Sequence, residues 1–202
     1  ESQPSVLSFS ATTPANLGRL TNISIRTNAG TGAQTLIVGF SLGGAGSTGS
    51  TPLLMRGMGP SLTQFGLTGV LADPVATMFR GESVVAANDN WFGDSQLVTA
   101  RATQVGAFAF AAASSLDAAL AIAPAFGSYT VQITGRTGGT GIALAEIYEA
   151  VAPGAYTSAT PRLVNISART EVGAGSDILI AGFYLGGTTA KTVLIRAVGP
   201  TL

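Results

Sequence analysis

Arg19-Leu20-Thr21-Asn22-Ile23-Ser24-Ile25-Arg26-Thr27 returns later in the chain as Arg162-Leu163-Val164-Asn165-Ile166-Ser167-Ala168-Arg169-Thr170. The correspondence continues with Leu36-Ile37-Val38-Gly39-Phe40 against Leu179-Ile180-Ala181-Gly182-Phe183. It closes with Leu54-Met55-Arg56-Gly57-Met58-Gly59-Pro60-Ser61-Leu62 against Leu194-Ile195-Arg196-Ala197-Val198-Gly199-Pro200-Thr201-Leu202. About half of the aligned positions are identical, and the main length difference falls in the Gly/Ser/Thr tract 45–50, where a loop absorbs it. Self-similarity of this kind marks a duplication and conditions every later reading. Nothing in the sequence repeats the stretch from Gly66 to Ala150, so the chain holds one full unit and the opening third of another.

Working outward, the duplicated blocks read as strands. Residues 20–26, 163–169 and 128–134 alternate apolar with polar side chains, the period of a strand with one buried face. Residues 35–40, 52–56, 177–184 and 192–198 are unbroken runs rich in Ile, Leu and Val with flanking glycines, which suits interior strands covered on both faces. A further strand is expected over 141–148, and Gly30-Thr31-Gly32, Gly43-Gly44, Gly138-Gly139 and Gly186-Gly187 punctuate the turns. Only 96–105 reads as a helix, with Leu97, Ala100, Ala102 and Val105 along one side. Pro124 and Gly127 end a strand that begins near Leu116.

The expected fold is therefore all-β: an antiparallel β-sandwich of jelly-roll type over 19–150, with one short helix at an edge. An N-terminal arm, 1–18, carries a strand near Ser5 to Ser10. A linker, 151–161, leads to the partial repeat 162–202, which adds an extra set of strands.

Composition limits the function. In 202 residues, 46% hydrophobic content permits a sizeable core, while charged residues make up only 10%, against roughly 25% in an ordinary soluble domain. With ten basic and ten acidic residues the net charge is zero, so the clustered Lys and Arg that nucleic acid or an anionic membrane surface requires are missing. Histidine and cysteine are absent, which removes Ser-His-Asp triads, cysteine nucleophiles, Cys/His zinc sites and disulfides together. The least polar stretch, 105–113, is too short to cross a bilayer, so no membrane insertion is expected. The opening Glu1-Ser2-Gln3-Pro4-Ser5 reads as an already processed chain. A single lysine, Lys191, among many Gly, Ser and Thr residues fits an exported bacterial β-protein, placed outside the cell or at its surface.

The blocks Leu36-Ile37-Val38-Gly39-Phe40, Leu54-Met55-Arg56-Gly57-Met58-Gly59-Pro60, Leu71-Ala72-Asp73-Pro74 and Ala87-Asn88-Asp89-Asn90-Trp91 resemble a repeat of large secreted proteins of environmental bacteria. That likeness spans nearly the whole chain. The half from Asn88-Asp89-Asn90-Trp91 through Gly127-Ser128-Tyr129-Thr130-Val131 is also similar to bacterial pre-peptidase C-terminal domains, β-sandwich modules that follow secreted enzymes. The resemblance implies an exported, non-catalytic sandwich and transfers no catalytic residue.

Candidate chemistry is sparse. Asp73, Asn88, Asp89, Asn90 and Asp94 offer the oxygen ligands that calcium prefers, and the same residue types populate tight turns for their own reasons. Asp89 with Asp94, or Glu146 with Glu149, are the carboxylate pairs available for acid–base hydrolysis. The odd spacing of the second pair on a strand sends its members to opposite faces. Trp91, Phe92, Tyr148 and Tyr156 are the aromatics available to stack on a polysaccharide. Arg56 and Arg196 hold equivalent places in apolar strands, where a buried charge has to meet a carboxylate or several carbonyls. Asn22-Ile23-Ser24 and Asn165-Ile166-Ser167 match the glycosylation pattern inside strands.

No catalytic set or cofactor site emerges, and the chain is read as non-enzymatic. The first expectation is a subunit of a homopolymeric extracellular fibre or sheath, joined by strand addition through Leu179, Ile180, Phe183, Tyr184, Val193, Leu194, Ile195 and Val198. Their strands lack the neighbours that the intact copy supplies. The alternative is an adhesin or carbohydrate-binding accessory module cut from a larger secreted protein.

Overall fold

A computed structural model describes residues 16–175 and 177–199. The strand expected near Ser5 to Ser10 lies outside the described residues. Ten strands and one α-helix follow one another along the chain. They are β1 (Arg19–Ala29), β2 (Leu36–Gly43), β3 (Leu53–Met58), β4 (Pro74–Arg80), β5 (Ser83–Asn88), α1 (Ser95–Val105), β6 (Ala118–Ile122), β7 (Gly127–Gly135), β8 (Gly141–Glu149), β9 (Arg162–Arg169) and β10 (Ile180–Gly186). The fold is all-β, with every ladder between these strands antiparallel.

The strands form one sheet in the order β5-β4-β7-β2-β9-β1-β8-β3-β6, with β10 on β1 beside that path. The expected sandwich takes the form of a sheet that curls nearly into a barrel. At the seam between its end strands, the Ala119 amide of β6 donates to Asn88 Oδ1 of β5 at 2.9 Å.

The alternating side chains of the wall fill the interior. Ile23 and Ile25, Val38 and Phe40, Ala76 and Met78, Val131 and Ile133, and Ala145 and Ile147 form one buried cluster. A second, smaller cluster lies behind β3 and β6, where Val98 and Ala102 of α1 meet Leu54, Trp91, Ala119 and Ala121. Because this layer covers its second face, β3 is buried at all positions, as its unbroken apolar run predicts. The parallel expectation for β2 is corrected: its burial alternates, since it lies in the barrel wall with one face outward. The buried side of α1 is Val98 and Ala102, one turn apart, whereas Leu97 is exposed, so the expected face is rotated. Strands β4 and β5 were not anticipated. The run 192–198 forms no strand, and the expectation of one there is corrected.

Candidate assembly interface

The tail does not fold back on itself as a hairpin. Its two strands separate, β9 onto β2 and β10 onto β1. Each copy's first strand therefore pairs with the other copy's second strand. The two ladders share one register: Ile37 faces Arg169 as its counterpart Ile180 faces Arg26, and Phe40 faces Ile166 as Phe183 faces Ile23. Both ladders also skip the same position, Thr21 in β1 and Val164 in β9, a bulge that bends the strand. Leu20 and Leu163, themselves counterparts, pair with each other. A local two-fold axis thus runs through that pair, and the duplication is read out as a reciprocal exchange.

Glycine makes the exchange close. A Cβ added at Gly39 would lie 2.7 Å from Ser167 Oγ, and one at the counterpart Gly182 would lie 3.0 Å from Ser24 Oγ. The facing serines are counterparts as well, so both copies keep a bare backbone where the crossed strand approaches.

Beyond this junction the copies part. β2 is flanked by β7 and β9, and β1 by β8 and β10. Among the described residues the ladder of β10 joins it to β1, and β9 beyond β2 pairs with β1 at Leu20. Phe40 is 3% exposed and its counterpart Phe183 44%; Leu54 is fully buried and Leu194 is 84% exposed. Of the eight expected interface residues, Leu179 is half-buried and Ile180, Phe183, Tyr184, Val193, Leu194, Ile195 and Val198 are exposed. The run 192–198 stays irregular for a physical reason. Its counterpart β3 is held between β8 and β6, and the described residues contain no second set of those strands.

Two ion pairs anchor the first copy, both on β8. Arg56, fully buried, donates through Nε to Glu146 Oε2 at 2.8 Å and through Nη2 to the same oxygen, while Nη1 donates to the Phe108 carbonyl at 2.6 Å. Its guanidinium lies 4.3 Å from the Phe108 ring centre, and Tyr148 completes the node by donating to Glu146 Oε1 at 2.7 Å. Burial, and then the Glu146 charge, push the Tyr148 hydroxyl well above the ordinary phenol range. The lone charge in the apolar strand thus meets the carboxylate that the sequence demands. Its counterpart Arg196 is exposed and forms no salt bridge among the described residues.

The second pair joins Arg19 to Glu149, with Arg19 also 3.9 Å from the Tyr156 ring centre. Glu149 Oε1 is buried without a hydrogen-bond partner. Burial raises the Glu149 carboxyl above its usual range, opposed by Arg19 and then by Arg162, the counterpart of Arg19. This pair borders a cleft of about 660 Å³ at the junction, lined among others by Asn22, Tyr148, Tyr156 and Tyr184. Of the aromatics considered for stacking, the cleft gathers Tyr148 and Tyr156. Trp91 is buried 4.2 Å from Phe110 in a stacked pair, and Phe92 is exposed outside the lining.

Of the residues offered for calcium, Asn88 and Asp89 have side chains that meet protein groups. Asn88 donates to the Asn90 carbonyl at 3.0 Å and accepts from Ala119, Asp89 pairs with Arg136, and the Asp73 carbonyl accepts from the Arg136 amide at 2.9 Å. Asp94 stands at the N-terminus of α1. Asp73 Oδ1 and Asn90 Oδ1 are buried without hydrogen-bond partners, yet no group of three or more acidic side chains converges among the described residues. Glu146 and Glu149 turn to different arginines, as their spacing requires. Asn22 lies within β1, its amide donating to the Ile147 carbonyl at 3.3 Å.

One polar node was missed in the sequence. Asp117, fully buried, accepts from the Gly59 amide at 2.7 Å, from the Ser61 amide at 3.2 Å, and from the Ser61 and Ser115 hydroxyls. It fixes the Gly59-Pro60-Ser61 loop at the end of the duplicated block. The available signal was a lone acid just ahead of the apolar run 118–122. No helix among the described residues is long and apolar enough to cross a membrane. No family model, curated protein or solved structure matches the chain.

Proposed function

We propose that this chain is a non-enzymatic structural protein, the subunit of an extracellular homopolymeric fibre or sheath whose subunits join by β-strand addition. The observation that carries this reading is the contrast between the copies: among the described residues β10 is paired along one edge, by β1, and exposes apolar side chains, where β2 is enclosed on both edges. Between Asp177 and Lys191 there is no charged residue and no proline. Those are the devices that blunt a sheet edge against pairing with another chain. A surface poor in charge adds little repulsion to oppose association. Contact between unlike surfaces, tail to body, need not close and grows a filament. The buried polar groups fit a structural role, because Arg56, Glu146, Asp117 and Ser61 are spent on each other and on backbone.

Sedimentation and electron microscopy of the purified chain over a concentration series test the reading. Regular filaments, or a mass that climbs with concentration, are expected; a monomer at every concentration sinks it. The cleft with Tyr148, Tyr156 and Tyr184 favours the second reading, a polysaccharide-binding module. That reading requires glycan binding that is lost on Tyr156→Ala.

A further inference from the structure

The cleft at the junction is built by both copies. Five separate pieces of chain close on it: Arg19 at the start of β1, Gln104 at the end of α1, Glu149 at the end of β8, Tyr156 in the linker and Tyr184 of β10. The crossing puts Tyr184 there, because β10 lies on β1 with Tyr184 opposite Asn22. On the other side of the local two-fold axis the matching pair is Ser41 opposite Asn165, so the ring is the tail's own contribution. The volume, about 660 Å³, falls within the roughly 300–1,000 Å³ of small-molecule sites.

Two polar atoms of the lining residues have no hydrogen-bond partner among the described residues. The Glu149 side chain is 1% exposed; Oε2 takes the Arg19 guanidinium, and Oε1 meets no donor. The Tyr156 hydroxyl is likewise buried and unpaired, and one face of its ring is covered by Arg19. Buried polar groups left unpaired are costly, so an acceptor and a hydroxyl in one lining favour a ligand that brings hydrogen-bonding groups of its own. The same residues set its charge. An anionic group would face Glu149 Oε1, a cationic group would meet Arg19, and an apolar group would leave Oε1 unpaired. Neutral hydroxyls suit both atoms, since one donates to Oε1 and another pairs either way with the phenol. Tyr184, 66% exposed, offers the open ring face that a sugar ring requires.

We infer that the cleft takes a neutral sugar unit of a glycan, its ring stacked on Tyr184 and its hydroxyl groups bonded to Glu149 Oε1 and the Tyr156 hydroxyl. The inference rests on the polysaccharide-binding reading, names the ligand's chemistry and makes the tail part of the site.

Calorimetric titration of the full-length chain tests it, with hexasaccharides of three kinds: neutral glucans, galactans and mannans; uronic-acid oligomers; and glucosamine oligomers. Binding of at least one neutral hexasaccharide, more tightly than either charged kind, is expected. Tyr184→Ala is expected to weaken it roughly tenfold, the scale of one lost ring contact, with Tyr184→Phe recovering it. Tyr156→Phe removes only a hydroxyl that has no partner in the unliganded chain. It is therefore expected to keep the wild-type melting temperature while weakening binding about fivefold. Tighter binding of a charged kind overturns the inference. Neutral binding that either Tyr184→Ala or Tyr156→Phe leaves unchanged also overturns it, and if Tyr156→Ala abolishes that binding, the polysaccharide reading stands with another geometry. No binding of any hexasaccharide at about 1 mM removes that reading and the inference together.

Discussion

Arg56 and Arg196 sit at the same point of two copies of one sequence block, and their surroundings have almost nothing in common. Arg56 is sealed between Glu146, the Phe108 carbonyl and aromatic rings, while Arg196 stands in an irregular, exposed run. Leu54 and Leu194 divide in the same way. At the exchange junction, by contrast, the copies behave alike, with one register and one bulge. The difference teaches that local sequence decides how a strand pairs at the edge it shares with its twin. Burial is decided by neighbours that, among the described residues, only the first copy has.

The largest expected effect tests this contrast directly. Arg56→Ala leaves Glu146 buried with its Tyr148 bond but no counter-charge, and breaking a buried pair in this way costs about 3–5 kcal/mol. Arg196→Ala is expected to change the stability of the isolated chain by less than about 0.5 kcal/mol, as exposed substitutions do. Denaturant melts of both variants at low concentration make the comparison. Equal losses would mean that the tail copy has found an enclosure of its own.

How much of this was legible depends on which contacts are local. The alternation of Leu20 to Arg26 gave a half-buried strand because one face of β1 does fill the barrel, and helix-forming residues without glycine or proline located α1. The duplication itself was visible, and so was the need of Arg56 for a carboxylate. The apolar run at 192–198 misled because an unbroken run records what a strand would bury if flanked, and its flanking strands belong to the stretch that is not duplicated. Strand β5 escaped because it is short and largely exposed at the seam, with little periodicity to read. The crossing of the copies was invisible for a deeper reason. A strand's pattern names its buried face and not its partner, and β1 and β9 offer β2 nearly the same face. The interface residues were legible as a list, while their division into a paired inner edge and an open outer edge required the fold.

A middle-sized effect tests the shared half of the comparison. Gly39→Val and Gly182→Val each place a branched side chain against a facing serine, and overpacking of this kind costs about 1–3 kcal/mol. In a strand without a close neighbour the same change is favourable, because glycine is a poor strand former and valine a good one. The sign is therefore diagnostic. Losses of similar size at both positions are expected from thermal melts, with partial recovery when Ser167→Ala is added to Gly39→Val and Ser24→Ala to Gly182→Val. Stabilisation by Gly182→Val would show that β10 does not pack on β1 in solution.

The smallest effect is a slope with pH, and it separates the two arginines that face Glu149. Burial raises the carboxyl of Glu149 above its ordinary value in spite of Arg19 and Arg162, so the folded protein holds that proton more tightly than the unfolded chain does. Stability from this group is then fully present below the ordinary carboxylate range and declines as pH rises through that range toward the folded value. Glu149→Gln removes the titration, so the wild type should gain on the variant as the solution is acidified and lose ground as it is neutralised. Arg19→Met removes the larger opposing charge, raises the carboxyl further and extends the declining limb to higher pH. Arg162→Met does the same more weakly, because Arg162 enters after Arg19 among the groups that hold the carboxyl down. Urea melts between about pH 4 and pH 8 bracket the carboxylate range and read all three slopes. If Arg162→Met moved the limb as far as Arg19→Met, Glu149 would be shared equally by the two copies of the repeat.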